Sequence, residues 1–276
     1  MNRLLVVTLR YGVAIAVVGL FMFPIFWWGL TSIKPISAIF DKDKIVILDF
    51  VPTLDNYRTV LAAGWGSAMD GRPAILSSTI IAACSTLLTV MIALLAAYSL
   101  SRLLSRRGKR YVYWMLLQRM LPPVAIVIPL IFIFRDVGLY NTHLGLIMAH
   151  TLLNLPIALL LLKSFMDDIP LEIDQAAMID GASRLQCFWK VLVPLIKGGI
   201  SATAVLCFIF SWTEFLLAVF LSSTLQTIPV KITTFASWTF GYSSALGTAA
   251  ILPSFLFILL FQRHLVRGLT LGAIKD

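Results

Sequence analysis

The sequence predicts an all-α membrane protein with six transmembrane helices, and three observations carry that expectation. Hydrophobic residues make up 59% of the 276 and charged residues only 13%, about half the usual share of about 25% in a soluble domain. Several apolar runs reach the roughly 20 residues that cross a bilayer as a helix. The basic residues stand at the ends of those runs, where topology places them. Helix is preferred because a lone spanning segment must satisfy its own backbone.

The first apolar block, 11–33, is longer than the apolar region of a signal peptide, and no small-residue cleavage site follows it. It reads as a retained first span. Segment 34–74 holds Pro35, Pro52, Gly64, Gly66, Gly71 and Pro73 with charges of both signs. It reads as an external stretch, too short for a core of its own. Within it, 54–61 predicts a short amphipathic helix. The other spans are expected at 75–100, 111–135, 144–162, 198–222 and 246–262. No internal repeat is visible, so 1–276 reads as one domain.

Lysines and arginines sort the loops. Arg3 and Arg10 precede or begin the first span, and Arg102, Arg106, Arg107, Lys109 and Arg110 follow the second. Lys163, Arg184, Lys190 and Lys197 lie between the fourth and fifth, and Arg263, Arg267 and Lys275 follow the sixth. The alternate loops are poor: 136–143 has no Lys or Arg, and 223–245 has only Lys231. Both termini are therefore expected in the cytoplasm. The loop at 163–197 also carries Asp167, Asp168, Glu172, Asp174 and Asp180, but the rule counts only Lys and Arg. Topology accounts for the net charge of +9 without a nucleic-acid partner. Cys84, Cys187 and Cys207 lack metal-ligand spacing and read as packing residues. The three histidines, His143, His150 and His264, form no ligand pair on one helical face.

The polar loop at 163–197 predicts helix, break, helix. Pro170 suits a first helical turn, and Leu171, Gln175, Ala176, Ala177 and Ile179 continue it. Gly181 suits a left-handed stop, and Ser183 can cap the next helix. Leu185, Phe188, Trp189 and Leu192 then form an apolar stripe at helical spacing. Shape alone leaves two readings open: an interfacial connection, or a rigid protrusion that transmits a partner's movement.

Residues 170–194 resemble the coupling loop of ABC-importer permeases, written Glu-Ala-Ala, three residues, Gly, nine residues, Ile-x-Leu-Pro. Ala176, Ala177, Gly181 and Pro194 fall at those positions, with 191–194 as Val-Leu-Val-Pro. Gln175 stands in place of the family Glu, and Asp174 or Glu172 is a candidate substitute for its charge. Residues 118–130 and the run Ser-Trp-Thr-Glu-Phe-Leu at 211–216 are similar to carbohydrate permeases. So are Asp55-Asn56-Tyr57 and the tail Gly-Leu-Thr-Leu-Gly-Ala-Ile-Lys at 268–275. The chain resembles the smaller, six-helix permease of maltose-type importers from about residue 50 onward.

That resemblance implies a type I ABC importer permease fold in a bacterial inner membrane, forming half of a pore for a carbohydrate or polyol. It implies a homologous second permease, two copies of a cytoplasmic ATPase and an extracytoplasmic solute-binding protein. ATP and magnesium would sit on the ATPase, leaving this chain without a cofactor and without enzymatic activity. The coupling residues would be Glu172, Asp174, Gln175, Ala176, Ala177, Asp180, Gly181, Ser183, Val191 and Pro194.

Ionisable and polar groups at membrane depth are costly and mark a path or a pair. Gln118, Arg119, Asn154, Trp212 and Glu214 are the candidates for a path that takes a polar, uncharged solute. The alternative is a structural lock between Arg119 and Glu214 or a partner subunit, with Trp212 as packing. No phosphate-binding Gly-x-x-x-x-Gly-Lys-Ser/Thr loop occurs, and no Gly-x-Ser-x-Gly or His-Glu-x-x-His motif occurs. Energy must come from a partner or from an ion gradient. The rivals to a carbohydrate permease are a secondary transporter of a small polar solute and an ABC permease for glycerol or glycerol phosphate.

Overall fold

The computed structural model describes residues 3–41, 47–64, 67–103, 105–235 and 240–271. The side chains of 3–6, 105–109, 119 and 262–271 lie outside that description, as does the end of the tail motif at 272–275. The described elements are helical throughout: α1 (Arg3–Ser32), α2 (Ile36–Ile39), α3 (Asp55–Ala62), α4 (Arg72–Tyr98), a π-helical turn (Ser99–Leu103), α5 (Ser105–Arg119), α6 (Pro123–Asp136) and α7 (His143–Asp167). There follow α8 (Leu171–Ile179), α9 (Arg184–Cys187), a second π-helical turn (Phe188–Leu192), α10 (Val193–Leu195) and α11 (Lys197–Trp212). The chain ends with α12 (Leu216–Leu221), α13 (Ile228–Thr234), α14 (Phe240–Ala249) and α15 (Ile251–Leu271).

Among the described residues, four stretches are long and apolar enough to cross a membrane: Val7–Ser32, Arg72–Leu103, His143–Asp167 and Phe240–Phe261. The other two expected spans are broken. The third, expected as one helix over 111–135, is α5 and α6 bent by 86°. Pro122 has no N–H to continue α5, and Pro123 opens α6 at its first turn, where a missing donor costs nothing. The fifth, expected over 198–222, stops at Trp212 and resumes as α12 after Thr213, Glu214 and Phe215. At its start, Arg184–Leu195 meets α11 at 75°.

The chain forms two compact units: residues 1–73 with 231–252, and residues 74–230 with 253–276. In the first unit, the Asp55-Asn56-Tyr57 motif staples the polar segment to the end of α1. Asn56 is buried, and its Nδ2 donates to the Ser32 and Lys34 carbonyls at 3.0 and 2.8 Å. The Ser32 carbonyl ends α1, where intrahelical partners run out, and the Lys34 carbonyl lies two residues beyond it. The Tyr57 hydroxyl meets Ser32 Oγ at 2.8 Å. Helix α14 lies on this staple, with Phe240 edge-on to Trp28 at 5.3 Å. Lys231 donates to the Ala68 carbonyl at 2.8 Å. Burial lowers its pKa from the ordinary lysine value, and Asp70 opposes that.

In the second unit, small residues let helices approach closely, as membrane packing favours. The buried face of α4 carries Ala82, Ser85, Thr89, Ala93 and Ala97. Gly199 of α11 packs where a Cβ would collide with the Phe165 ring of α7. One core cluster joins Val90, Leu94 and Leu100 to Leu159, Leu162 and Met166, and takes in Cys187, Phe188 and Leu192 of the polar loop. The loop thus shares its core with the ends of α4 and α7. At the far end of α7, Asn141 has a φ of 59°. Its Oδ1 accepts N–H groups of Ser223, Thr224 and Leu225 at 2.9–3.1 Å, tying the turn before α7 to the one after α12.

Replacing Asn56 with leucine should lower stability by about 1–3 kcal/mol, because two buried carbonyls lose their donor. Thermal unfolding in detergent reads this directly. An unchanged midpoint would show that the staple does not hold the segment.

Candidate functional site: the polar loop and the buried polar seam

Helix α8 follows Pro170 and ends in a Schellman motif. The Gly181 N–H donates to the Met178 carbonyl at 3.1 Å and the Ala182 N–H to Ala177 at 3.0 Å. Gly181 has a φ of +88°, the left-handed position that glycine occupies without strain. Ser183 then caps α9 in a capping box with Gln186: Oγ accepts the Gln186 N–H and the Gln186 side chain accepts the Ser183 N–H. The expected helix, break, helix is present. The expected apolar stripe is only half buried, since Phe188 and Leu192 enter the core while Leu185 and Trp189 are exposed.

The two faces of α8 differ sharply. Gln175, Ala176, Met178 and Ile179 are exposed, Ala177 is partly buried, and Ile179 is 85% exposed. Glu172, Asp180, Gly181 and Ser183 are exposed as well. Glu172 sits in the first turn, where the helix dipole favours a negative charge. Large apolar side chains, Met178 and Ile179, are thus left open on a polar loop. Val191 packs partly against the core, and Pro194 is exposed in α10.

Asp174 points the other way and is buried. Its Oδ2 pairs with Arg102 Nε at 2.5 Å, and its Oδ1 accepts from the Cys187 thiol at 3.8 Å. Arg102 lies on the π-helical turn after α4. Its guanidinium also donates to the Ile169 carbonyl at 2.9 Å, and the neighbouring Ser101 hydroxyl donates to Asp167 at 2.5 Å. Lys163 pairs with the other Asp167 oxygen. Sequence reading used Arg102 only as a topology marker. The available signal was its flanks, since Leu100, Leu103 and Leu104 surround it with apolar residues. A cavity of about 290 Å³ opens beside this pair, between Tyr98, Leu171, Gln175 and Arg184.

The membrane-depth candidates do not converge on one site. Gln118 is exposed and lines an almost wholly apolar cavity of about 250 Å³ with Leu121, Ile126, Leu153 and Pro156. The Arg119 side chain lies outside the described residues, and so does its expected pairing. Asn154 is buried in α7, with no hydrogen-bond partner for its side-chain oxygen among the described residues. Trp212 stacks on Phe208 at 5.5 Å, and Phe208 stacks on Phe257 at 3.8 Å. Glu214 turns its carboxylate onto the start of α12, accepting the Leu217 N–H at 3.0 Å and the Ala218 N–H at 3.3 Å.

Behind Glu214 lies a buried seam that sequence reading did not assemble. His150 Nε2 is 3.6 Å from Glu214 Oε2. Its Nδ1 meets the Ser211 hydroxyl at 2.7 Å, which meets the Ser85 hydroxyl at 3.0 Å. Thr86 and Thr89 are buried in α4, and their hydroxyls have no partner among the described residues. Three helices thus bring polar groups together inside the second unit, a grouping invisible to any single stretch of sequence.

Residues 89–271 match the family described as the binding-protein-dependent transport system inner membrane component. The chain belongs to this family. It is therefore a multi-pass inner-membrane component of a transport system, and the gradient-driven carrier is set aside. It is 37% identical to the trehalose transport system permease protein SugB of Mycobacterium tuberculosis (strain CDC 1551 / Oshkosh), with 94% of each chain covered. It is 34% identical to the sulfoquinovosyl glycerol transport system permease protein SmoH of Agrobacterium fabrum (strain C58 / ATCC 33970), covering 92% of this chain and 89% of that one. The trehalose/maltose transport system permease protein MalG of Thermococcus litoralis (strain ATCC 51850 / DSM 5473 / JCM 8560 / NS-C) is 30% identical, covering 92% and 91%. Among solved structures, the fold is similar to a bacterial ABC transporter involved in the import of the acidic polysaccharide alginate. The TM-score is 0.74 at 19% identity, covering 96% of this chain and 99% of that chain.

The cap at α12 yields a direct test. Glu214→Ala should lower the thermal midpoint by the equivalent of about 1–2 kcal/mol, as loss of a helix cap does, and Glu214→Gln should lower it less. An alanine variant as stable as the parent would show that the carboxylate is not holding the helix start.

Proposed function

We propose that this chain is one of two pore-forming permeases of an ATP-driven importer for a carbohydrate or polyol. The supporting observation is α8: a short helix with a rigid Schellman stop, exposing Ile179 and Ala176 on one side and anchored by Asp174 on the other. Such a helix is built to be gripped. In this reading the loop at 163–197 is cytoplasmic, the chain has six spans with both bent pairs counted, and both termini face the cytoplasm. The chain acts as a single permease domain with a homologous second permease and two copies of an ATPase. ATP and magnesium are held by the ATPase, and this chain performs no catalysis.

Closure of the ATPases on ATP would displace α8 as a rigid body and turn the pore outward. Hydrolysis would return it. A solute-binding protein delivers solute to the outer loops, including 34–74 and 223–245. The names of the relatives, which carry trehalose, maltose and sulfoquinovosyl glycerol, support a carbohydrate. Gln118 is the best placed of the path candidates to meet the solute, because it alone among the described ones is exposed. Asn154, Trp212 and Glu214 remain candidates for the same path, and Arg119 belongs to the same stretch as Gln118.

Ile179→Asp, Ala176→Asp and Gly181→Trp place charge or bulk on the gripped surface. Each should cut solute uptake by about tenfold or more in proteoliposomes holding the full complex, with the chain still inserted. Uptake at the parent rate in all three would rule out α8 as the coupling surface.

A further inference from the structure

We propose that Arg102 and Asp174 form the joint through which α8 moves the second span, so that both are positioning residues for transport. The inference rests on the coupling reading of α8 given above. It assigns the transmission to a particular contact that faces away from the gripped surface.

The geometry has three parts. First, the pair is nearly closed to solvent: the side chains of Arg102 and Asp174 are 7% and 12% exposed. A buried pair at 2.5 Å resists separation, since parting it leaves two uncompensated charges. Second, Arg102 is held on more than one side. It donates to the Ile169 carbonyl in the link between α7 and α8, and Ser101 beside it bonds Asp167 at the end of α7. The turn after α4 is thereby stitched to the end of α7, to the link and to α8 itself. Third, this turn is π-helical over Ser99–Leu103. A π-helical turn is rare and frequently marks a functional position in a helix. Here it sets Arg102 against α8.

The other route from the loop to the spans runs through Cys187, Phe188 and Leu192 in the core. That route engages α9 and the turn after it. Helix α8 itself contributes to the core cluster only Ala177, and that only partly buried. Asp174 is the buried residue of α8. Displacement of α8 therefore reaches the second span through the ion pair more directly than through apolar packing, which slides more easily.

The test uses the full complex in proteoliposomes, reading ATP hydrolysed per solute taken up. Asp174→Asn keeps size and removes charge. It should raise that ratio about tenfold, chiefly by lost uptake, with hydrolysis within twofold of the parent. A parent-like ratio would overturn the proposal. In case this variant fails to assemble, a second measurement decides. Arg102→Cys with Asp174→Cys, in a background lacking the three native cysteines, is joined by a short thiol cross-linker. If the two residues move as one body, the unlinked double-cysteine complex should take up solute about tenfold less than the cysteine-free parent, and the link should restore most of that uptake. A link that leaves uptake as low as in the unlinked complex, or an unlinked complex with parent-like uptake, would refute the joint. Failure of the coupling reading looks different: hydrolysis in the parent complex would then not respond to solute and its binding protein at all.

Discussion

The ion pair between Arg102 and Asp174 is the contact on which the form of the polar loop depends. A carboxylate taken out of water carries a cost of several kcal/mol unless a cation and further donors meet it. Asp174 is met by a guanidinium and a thiol, and the guanidinium is itself held by the Ile169 carbonyl. With Asp174 fixed inward, the helical period turns Glu172, Ala176 and Ile179 outward. The opposed faces of α8 follow from that one choice. Gln175, standing where the family has Glu, is exposed as a neutral side chain. Of the acidic residues of α8, Asp174 carries its charge inward while Glu172 stays exposed.

The second constraint is the bilayer, which offers no water to an unpaired backbone group. Each break in the apolar helices accordingly has a local remedy. At α6 the remedy is proline, which brings no donor. At α12 it is the Glu214 carboxylate, which accepts two N–H groups. The buried seam of Ser85, His150 and Ser211 obeys the same rule through side chains alone. Glu214, a path candidate in sequence, thus also caps the helix that resumes after a break.

Much of this was legible in the sequence, for identifiable reasons. Spans are legible because twenty apolar residues have few other fates. Gly181 and Ser183 are legible because left-handed backbone and helix capping are local chemistry. The Asn-Tyr of residues 56–57 could be matched to a family but not explained, since its partners, Ser32 and Lys34, lie at the end of another helix. Pairing is where sequence reading fails. Nothing near Arg102 points to Asp174, and nothing near Glu214 distinguishes a lock with Arg119 from a cap on Leu217. Pro122 and Pro123 announce an interruption, yet its 86° bend depends on how α5 and α6 pack on their neighbours.

The most direct measurement is purification of the tagged chain from its native membranes in mild detergent, with quantitative mass spectrometry of what accompanies it. The account predicts a stoichiometric complex containing a second permease and an ATPase in two copies. A chain that purifies alone, or only with itself, and still moves solute into liposomes would contradict it.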